Sequence, residues 1–158
     1  KTALLLARLA RRGWLARIQR GLYVPIPLEA QSTKVPVDDP WVIATELYSP
    51  CYIGGWSAAE YWNLTEQIFR SIVVITTKKV RNRTPTVREI PFMIRTVREN
   101  SMFGMKTVWR GSRKVQVSDP GRTVVDLLDA PKLGGGITSV SEILMTYLRS
   151  KDFSPTGY

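Results

Sequence analysis

LLLARLARRGWLARIQRGLYV, residues 4–24, is the stretch on which the reading of this chain turns. Leu5 and Leu9 recur one turn apart with Leu6 and Ala10 beside them, which predicts a helix from Thr2 to Arg12. Lys1, Arg8 and Arg12 line another face of that helix, with Arg11 close by. Gly13 stops it, as a glycine in a left-handed cap does. Trp14 to Gln19 and Leu22 to Pro25 then read as short strands joined by a hairpin turn at Arg20-Gly21. A cationic helix followed at once by a basic-tipped hairpin has the form of the second half of a winged helix-turn-helix. In that motif the helix enters the major groove and the hairpin tip lies along the phosphates. Residues 1–27 carry Lys1, Arg8, Arg11, Arg12, Arg17 and Arg20 and no acid, a field that favours a polyanion. The competing reading is an ordinary amphipathic helix and hairpin whose arginines are simply solvated. A complete motif also needs about two helices ahead of the recognition helix. The sequence opens at Lys1 without them, so either the protein starts earlier or the motif is a different one.

Composition narrows the classes. The chain has 158 residues and 44% apolar content, enough for a core and for one domain or a small module plus a larger one. No apolar run approaches the roughly 20 residues of a membrane span, no signal peptide is visible, and a cytoplasmic protein is expected. The single cysteine, Cys51, excludes an intramolecular disulfide and reads as a structural thiol. With no histidine and one cysteine, the usual nitrogen and sulfur zinc site cannot be built. No cofactor is expected. The net charge of +10 is unevenly spread: residues 28–77 hold two cations against six acids, and residues 78–122 twelve cations against three acids. Two basic blocks separated by an acidic one argue for specific surfaces. The basic segments lack the long apolar face that an interfacial helix needs, so no membrane partner is expected.

From Ile26 to Asp39 the chain is proline-rich, polar and without period, and residues 28–39 read as a linker between the 1–27 module and a domain over 40–158. Asp39-Pro40 supplies an N-cap and a first-turn proline for a helix to Leu47. Cys51 to Ile53 is a short strand, and Ser57 with Glu60 forms a capping box for a helix to Asn63. Ser71 to Thr77 is apolar enough for a central strand. Arg88 to Val97, Met105 to Trp109 and Val115 to Ser118 read as further strands, the last two joined at Arg110 to Arg113. Asp119-Pro120 opens a helix with Val124, Val125, Leu127 and Leu128. Ser139 with Glu142 caps another, to about Ser150. The expected fold class is α+β, a winged-helix portion followed by a domain with a mostly antiparallel sheet.

Little in this pattern is catalytic. Without histidine the commonest general base is absent. Asp126 and Asp129, three apart on a helix, are a candidate metal-sharing pair, weighed against a solvated helix edge. Gly134-Gly135-Gly136 lacks the lysine and hydroxyl of a phosphate loop. The second basic block is the stronger candidate. Lys78, Lys79, Arg81 and Arg83 fall in one loop, and Lys106, Arg110, Arg113 and Lys114 cluster at a hairpin. Were strands 71–77, 88–97 and 105–118 neighbours, these charges would share one face able to track DNA or RNA phosphates, with Trp109 available for stacking. The counter-reading is that they guard exposed strand edges.

Three runs carry a family resemblance. LARLARRGWLARIQRGLYVPIP, residues 6–27, resembles the winged-helix end of the AbiEi antitoxins of type IV toxin–antitoxin, or abortive-infection, systems. YIGGWSAAEYWNLTEQ, residues 52–67, is similar to that family's strand, glycine and Ser-Ala-Ala helix. VSDPGRTVVDLLDAPKLGGGI, residues 117–137, is similar to its Pro-x-Arg-Thr helix and glycine-rich turn. The resemblance implies a regulator, not an enzyme, that binds double-stranded DNA at repeats in its own promoter and represses the operon. It also implies opposition to a nucleotidyltransferase-like toxin without a stable complex. Lys1, Thr2, Arg8, Arg11 and Arg12 would fall on the recognition helix, and Arg17 and Arg20 on the wing. The rival expectation is an RNA-binding protein or nuclease-type enzyme working through the 78–114 face. A third is an interaction module whose basic face meets an acidic partner.

Overall fold

The computed structural model describes residues 15–19, 22–25 and 39–150. The expected helix from Thr2 to Arg12, with Lys1, Thr2, Arg8, Arg11 and Arg12, lies outside the described residues, as do Arg20, residues 26–38 and the tail from Lys151. The strands on either side of Arg20-Gly21 are described. Strand β1 (Leu15–Gln19) pairs antiparallel with β2 (Leu22–Pro25), with Leu15 opposite Pro25 and Arg17 opposite Tyr23. The register shifts between Arg17 and Gln19, a bulge that bends the hairpin just before its tip.

Residues 39–150 build a mixed six-stranded sheet with helices on both faces. The strands are β3 (Cys51–Ile53), β4 (Ile72–Thr76), β5 (Thr86–Val87), β6 (Ile90–Thr96), β7 (Met105–Arg110) and β8 (Arg113–Ser118), in the order β5-β6-β4-β3-β8-β7. Three of the five pairings are antiparallel; β4–β6 and β3–β8 are parallel. Helix and strand content is thus of the expected α+β kind. The helices are α1 (Pro40–Tyr48), α2 (Gly55–Tyr61), α3 (Pro120–Asp129) and α4 (Ile137–Arg149).

Alternation along the strands divides the core in two. Ile53, Val74, Phe92, Ile94, Val115 and Val117 face one way and pack with Trp41, Ile43 and Ala44 of α1. Tyr52, Val73 and Ile75 face the other way and pack with Trp56 and Ala59 of α2, Val124 and Leu127 of α3, and Val140 and Ile143 of α4. A strand covered on both faces must be apolar at every position, which is why SIVVITT reads as a continuous run.

Both Asp-Pro devices act as expected. Asp39 Oδ1 accepts from Trp41 N at 2.9 Å, and Asp119 Oδ1 accepts from Arg122 N at 2.7 Å. The two capping boxes do not form. Helix α2 starts at Gly55, ahead of Ser57, and the buried Ser57 Oγ accepts from Val73 N in the sheet at 3.0 Å. Helix α4 starts at Ile137, and Ser139 is buried, with Oγ 3.4 Å from Gln67 Oε1. A buried serine beside a polar partner takes that partner, which a local sequence pattern cannot anticipate.

Candidate nucleic-acid interface

The sheet order decides what the second basic block can do. Strands β4 and β6 are neighbours, but the β7–β8 hairpin lies beyond β3, so the expected single run of adjacent strands does not form. The two clusters nevertheless meet at one end of the sheet. Cys51 opposes Thr76, and Ile53 opposes Val117 on the parallel strand β8. The loop leaving β4 at Lys78 and the hairpin tip at Arg110 to Arg113 therefore project from the same end. From that end the chain returns along β6, with Arg83 O accepting from Ile94 N at 2.7 Å and Pro85 O from Phe92 N at 2.8 Å.

The hairpin cations are engaged within the domain. Arg110 lies 4.3 Å from the Trp41 ring centroid, and its Nε is 2.8 Å from Asp39 Oδ2, an ion pair without the alignment of a hydrogen bond. Arg113 Nη1 is 3.1 Å from Glu46 Oε1. Lys106 Nζ sits 5.2 Å from the Trp62 ring centroid and Lys114 Nζ 5.1 Å from that of Trp109. Asp39 at the N-cap of α1, Glu46 within it and three tryptophans thus hold this cluster, and its arginines tie the hairpin to α1.

The loop cations are different. Lys78, Lys79, Arg81 and Arg83 are exposed, and among the described residues none of them makes an ion pair. The two ends of their loop are nonetheless held. Lys78 N donates to Thr76 Oγ1 at 3.0 Å, Thr96 Oγ1 donates to Lys78 O at 3.1 Å, and Thr84 N donates to Asn82 Oδ1 at 3.0 Å. Four cations on a loop anchored at both ends can meet phosphates without first giving up a carboxylate. Arg17 lies on β1 opposite Tyr23, the one member of the expected DNA-contacting set whose backbone is described.

The candidate metal pair dissolves. Asp126 is buried, accepts from Tyr52 OH at 2.8 Å through Oδ2, and is 2.9 Å from Arg122 Nη2 through Oδ1. Asp129 instead pairs with Arg95 of β6. One carboxylate therefore turns into the core and the other toward the sheet, and among the described residues no cluster of metal ligands occurs. Sequence reading passed over Arg122, although its i,i+4 spacing to Asp126 was visible. Burial works against the Arg122 charge, but the hydrogen bonds and charges of Asp126 and Tyr52 together outweigh it, so the guanidinium is held above its ordinary range. Burial, and then the Asp126 charge, raises the Tyr52 phenol. Cys51 is buried against Ala44 O, and burial pushes its thiol up to about 11, so it is an unreactive structural thiol as expected. No helix among the described residues is long and apolar enough to cross a membrane. No protein-family model matches the chain, and no curated protein matches it.

Proposed function

We propose that this protein is a DNA-binding transcriptional repressor that acts in the cytoplasm as the antitoxin of a type IV toxin–antitoxin pair. It reads repeats in its own promoter and counters a nucleotidyltransferase-like toxin without a stable complex. The observation that carries the reading is the acid-free, six-cation segment 1–27, within which β1 and β2 pair as a hairpin directly after a stretch of helical period. The AbiEi-like runs at 6–27, 52–67 and 117–137 supply the antitoxin half. The recognition helix reads bases through Lys1 and Thr2 at its start, with Arg8, Arg11 and Arg12 against phosphates, and the wing carries Arg17 and Arg20. The regulator reading is favoured over the nuclease one because Asp126 and Asp129, the acids an enzyme would use, are engaged by Arg122 and Arg95.

Binding of the full-length protein to DNA from upstream of its own gene, against a scrambled duplex in a salt series, tests this. Preference for the upstream DNA that persists as salt rises is expected. Equal, steeply salt-dependent binding to both duplexes would sink it. Arg20→Ala should weaken binding to all sequences alike and flatten the salt dependence by about one ion.

A further inference from the structure

Strand alternation gives the β7–β8 hairpin two faces, and only one is engaged with α1. Val115 and Val117 point into the α1 core, and Val108, opposite Val115, packs against it. The reverse face carries Thr107 opposite Gln116 and Trp109 opposite Lys114. Near the base, Met105 on this face packs against the second core cluster; toward the tip, Trp109 is 61% exposed. The other described tryptophans are covered: Trp41 and Trp56 are 6% exposed and Trp62 is half-buried. An indole left this open costs apolar hydration unless something stacks on it.

Its surroundings say what. Lys114 Nζ lies 5.1 Å from the ring centroid, and Gln116 Nε2 donates to Thr107 Oγ1 at 2.8 Å one pair along, so the platform has a cation and fixed polar groups at its side. Ring and lysine stand on paired strands, not on a loop, so the stack is preformed. At the tip, Gly111 has open space around it, so nothing crowds an approaching chain. The exposed Lys78, Lys79, Arg81 and Arg83 leave the sheet at the same end, from β4, two strand spacings (about 10 Å) from the strand of Lys114 and three (about 14 Å) from that of Trp109. The geometry points to a binding site for single-stranded nucleic acid, in which an unpaired base stacks on Trp109 and flanking phosphates meet Lys114 and the Lys78–Arg83 loop. Every base has a π-face, so the site takes any sequence, and its footprint is a few nucleotides. The inference rests on the nucleic-acid part of the proposed function but not on promoter recognition.

The test is titration of the full-length protein with a short oligothymidylate, an oligouridylate of equal length and the matching duplex, following tryptophan fluorescence. Single strands should quench the wild type, and Trp109→Ala should bind them about five- to a hundredfold more weakly with duplex affinity unchanged. Trp109→Phe keeps a ring and should retain most of the affinity while losing most of the quench, which a merely structural indole would not produce. Equal single-strand affinity in wild type and Trp109→Ala overturns the site, as does no single-strand binding by a wild type that still binds duplex. In both cases the repressor reading stands. Absence of binding by the wild type to the single strands, their duplex and the upstream duplex alike overturns both. Unequal affinity for the two oligonucleotides tells whether DNA or RNA is the source of the base, and equal affinity fits the sequence-blind stack.

Discussion

Arg122 and Asp126 are 6% and 5% exposed, so a full ion pair is held inside the second core cluster with Tyr52 as its third member. Phe103 covers the guanidinium, its ring centroid 4.3 Å away. Such a pair adds little net stability over an apolar substitute, but removing one partner strands the other charge. Asp126→Ala should therefore cost about 3–5 kcal/mol in urea unfolding, while Arg122→Met with Asp126→Leu together should cost less than that single change. A double variant worse than Asp126→Ala would show that the pair itself is the stabilising unit. Cys51 gives a pH dependence. Its thiol moves from 9.0 up to about 11, chiefly through burial and against the pull of Lys78, so the folded thiol keeps its proton where the unfolded one loses it. That contribution is fully present below pH 9 and is lost as pH rises toward 11, at about 1.4 kcal/mol per pH unit at most. Cys51→Ala should flatten the alkaline limb of the stability curve over this window; an unchanged limb would assign it to other groups.

Among the elements, α2 has the most constrained start. Gly55 has φ +56°, and a Cβ there would lie 2.7 Å from Leu133 O and 2.8 Å from Val73 Cγ1. The glycine lets the helix begin hard against β4 and the turn before α4. Gly55→Ala should cost about 2–4 kcal/mol, from the left-handed backbone and the overpacking together; a loss under about 1 kcal/mol would mean the turn yields freely. This start also shows where sequence reading stops. The Asp-Pro caps, the strands around Ile53 and Val74 and the β7–β8 pair are set within a few residues, by a side chain reaching two or three positions on or by alternation, and they were legible. Ser57 looked like a cap because its partner in the sheet, Val73 N, is 16 residues away. The strand expected from Arg88 to Val97 starts only at Ile90, because Arg88 and Glu89 are a left-handed turn that folds the two-residue β5 back on β6, a pairing no local pattern marks. Strand order was the larger omission: β3 sits between β4 and β8 through pairings to residues far apart in the chain, which no local pattern records.

Across the whole molecule, the charge that sequence alone counted as one basic block has two fates. In the hairpin, Arg110 and Arg113 already face Asp39 and Glu46, so a phosphate that approaches either arginine must compete with a carboxylate. In the loop, Lys78, Lys79, Arg81 and Arg83 give up nothing but hydration and counterions. Salt dependence measures that difference, because each phosphate neutralised releases condensed counterions and adds about 0.9 to the slope of log affinity against log salt. Changing the four loop residues to glutamine should lower the slope on the upstream duplex by up to about 3.6 if all four touch phosphate, with little effect on stability. Changing Arg110 and Arg113 to glutamine should move the slope by less than about one unit. It should instead cost stability, since Arg110 also covers Trp41 and both arginines tie the hairpin to α1. The reverse pattern, a large slope change from the hairpin pair and none from the loop, would mean that DNA pulls the hairpin away from α1. Asp39 and Glu46 would then act as its competitors and not as permanent partners of the hairpin.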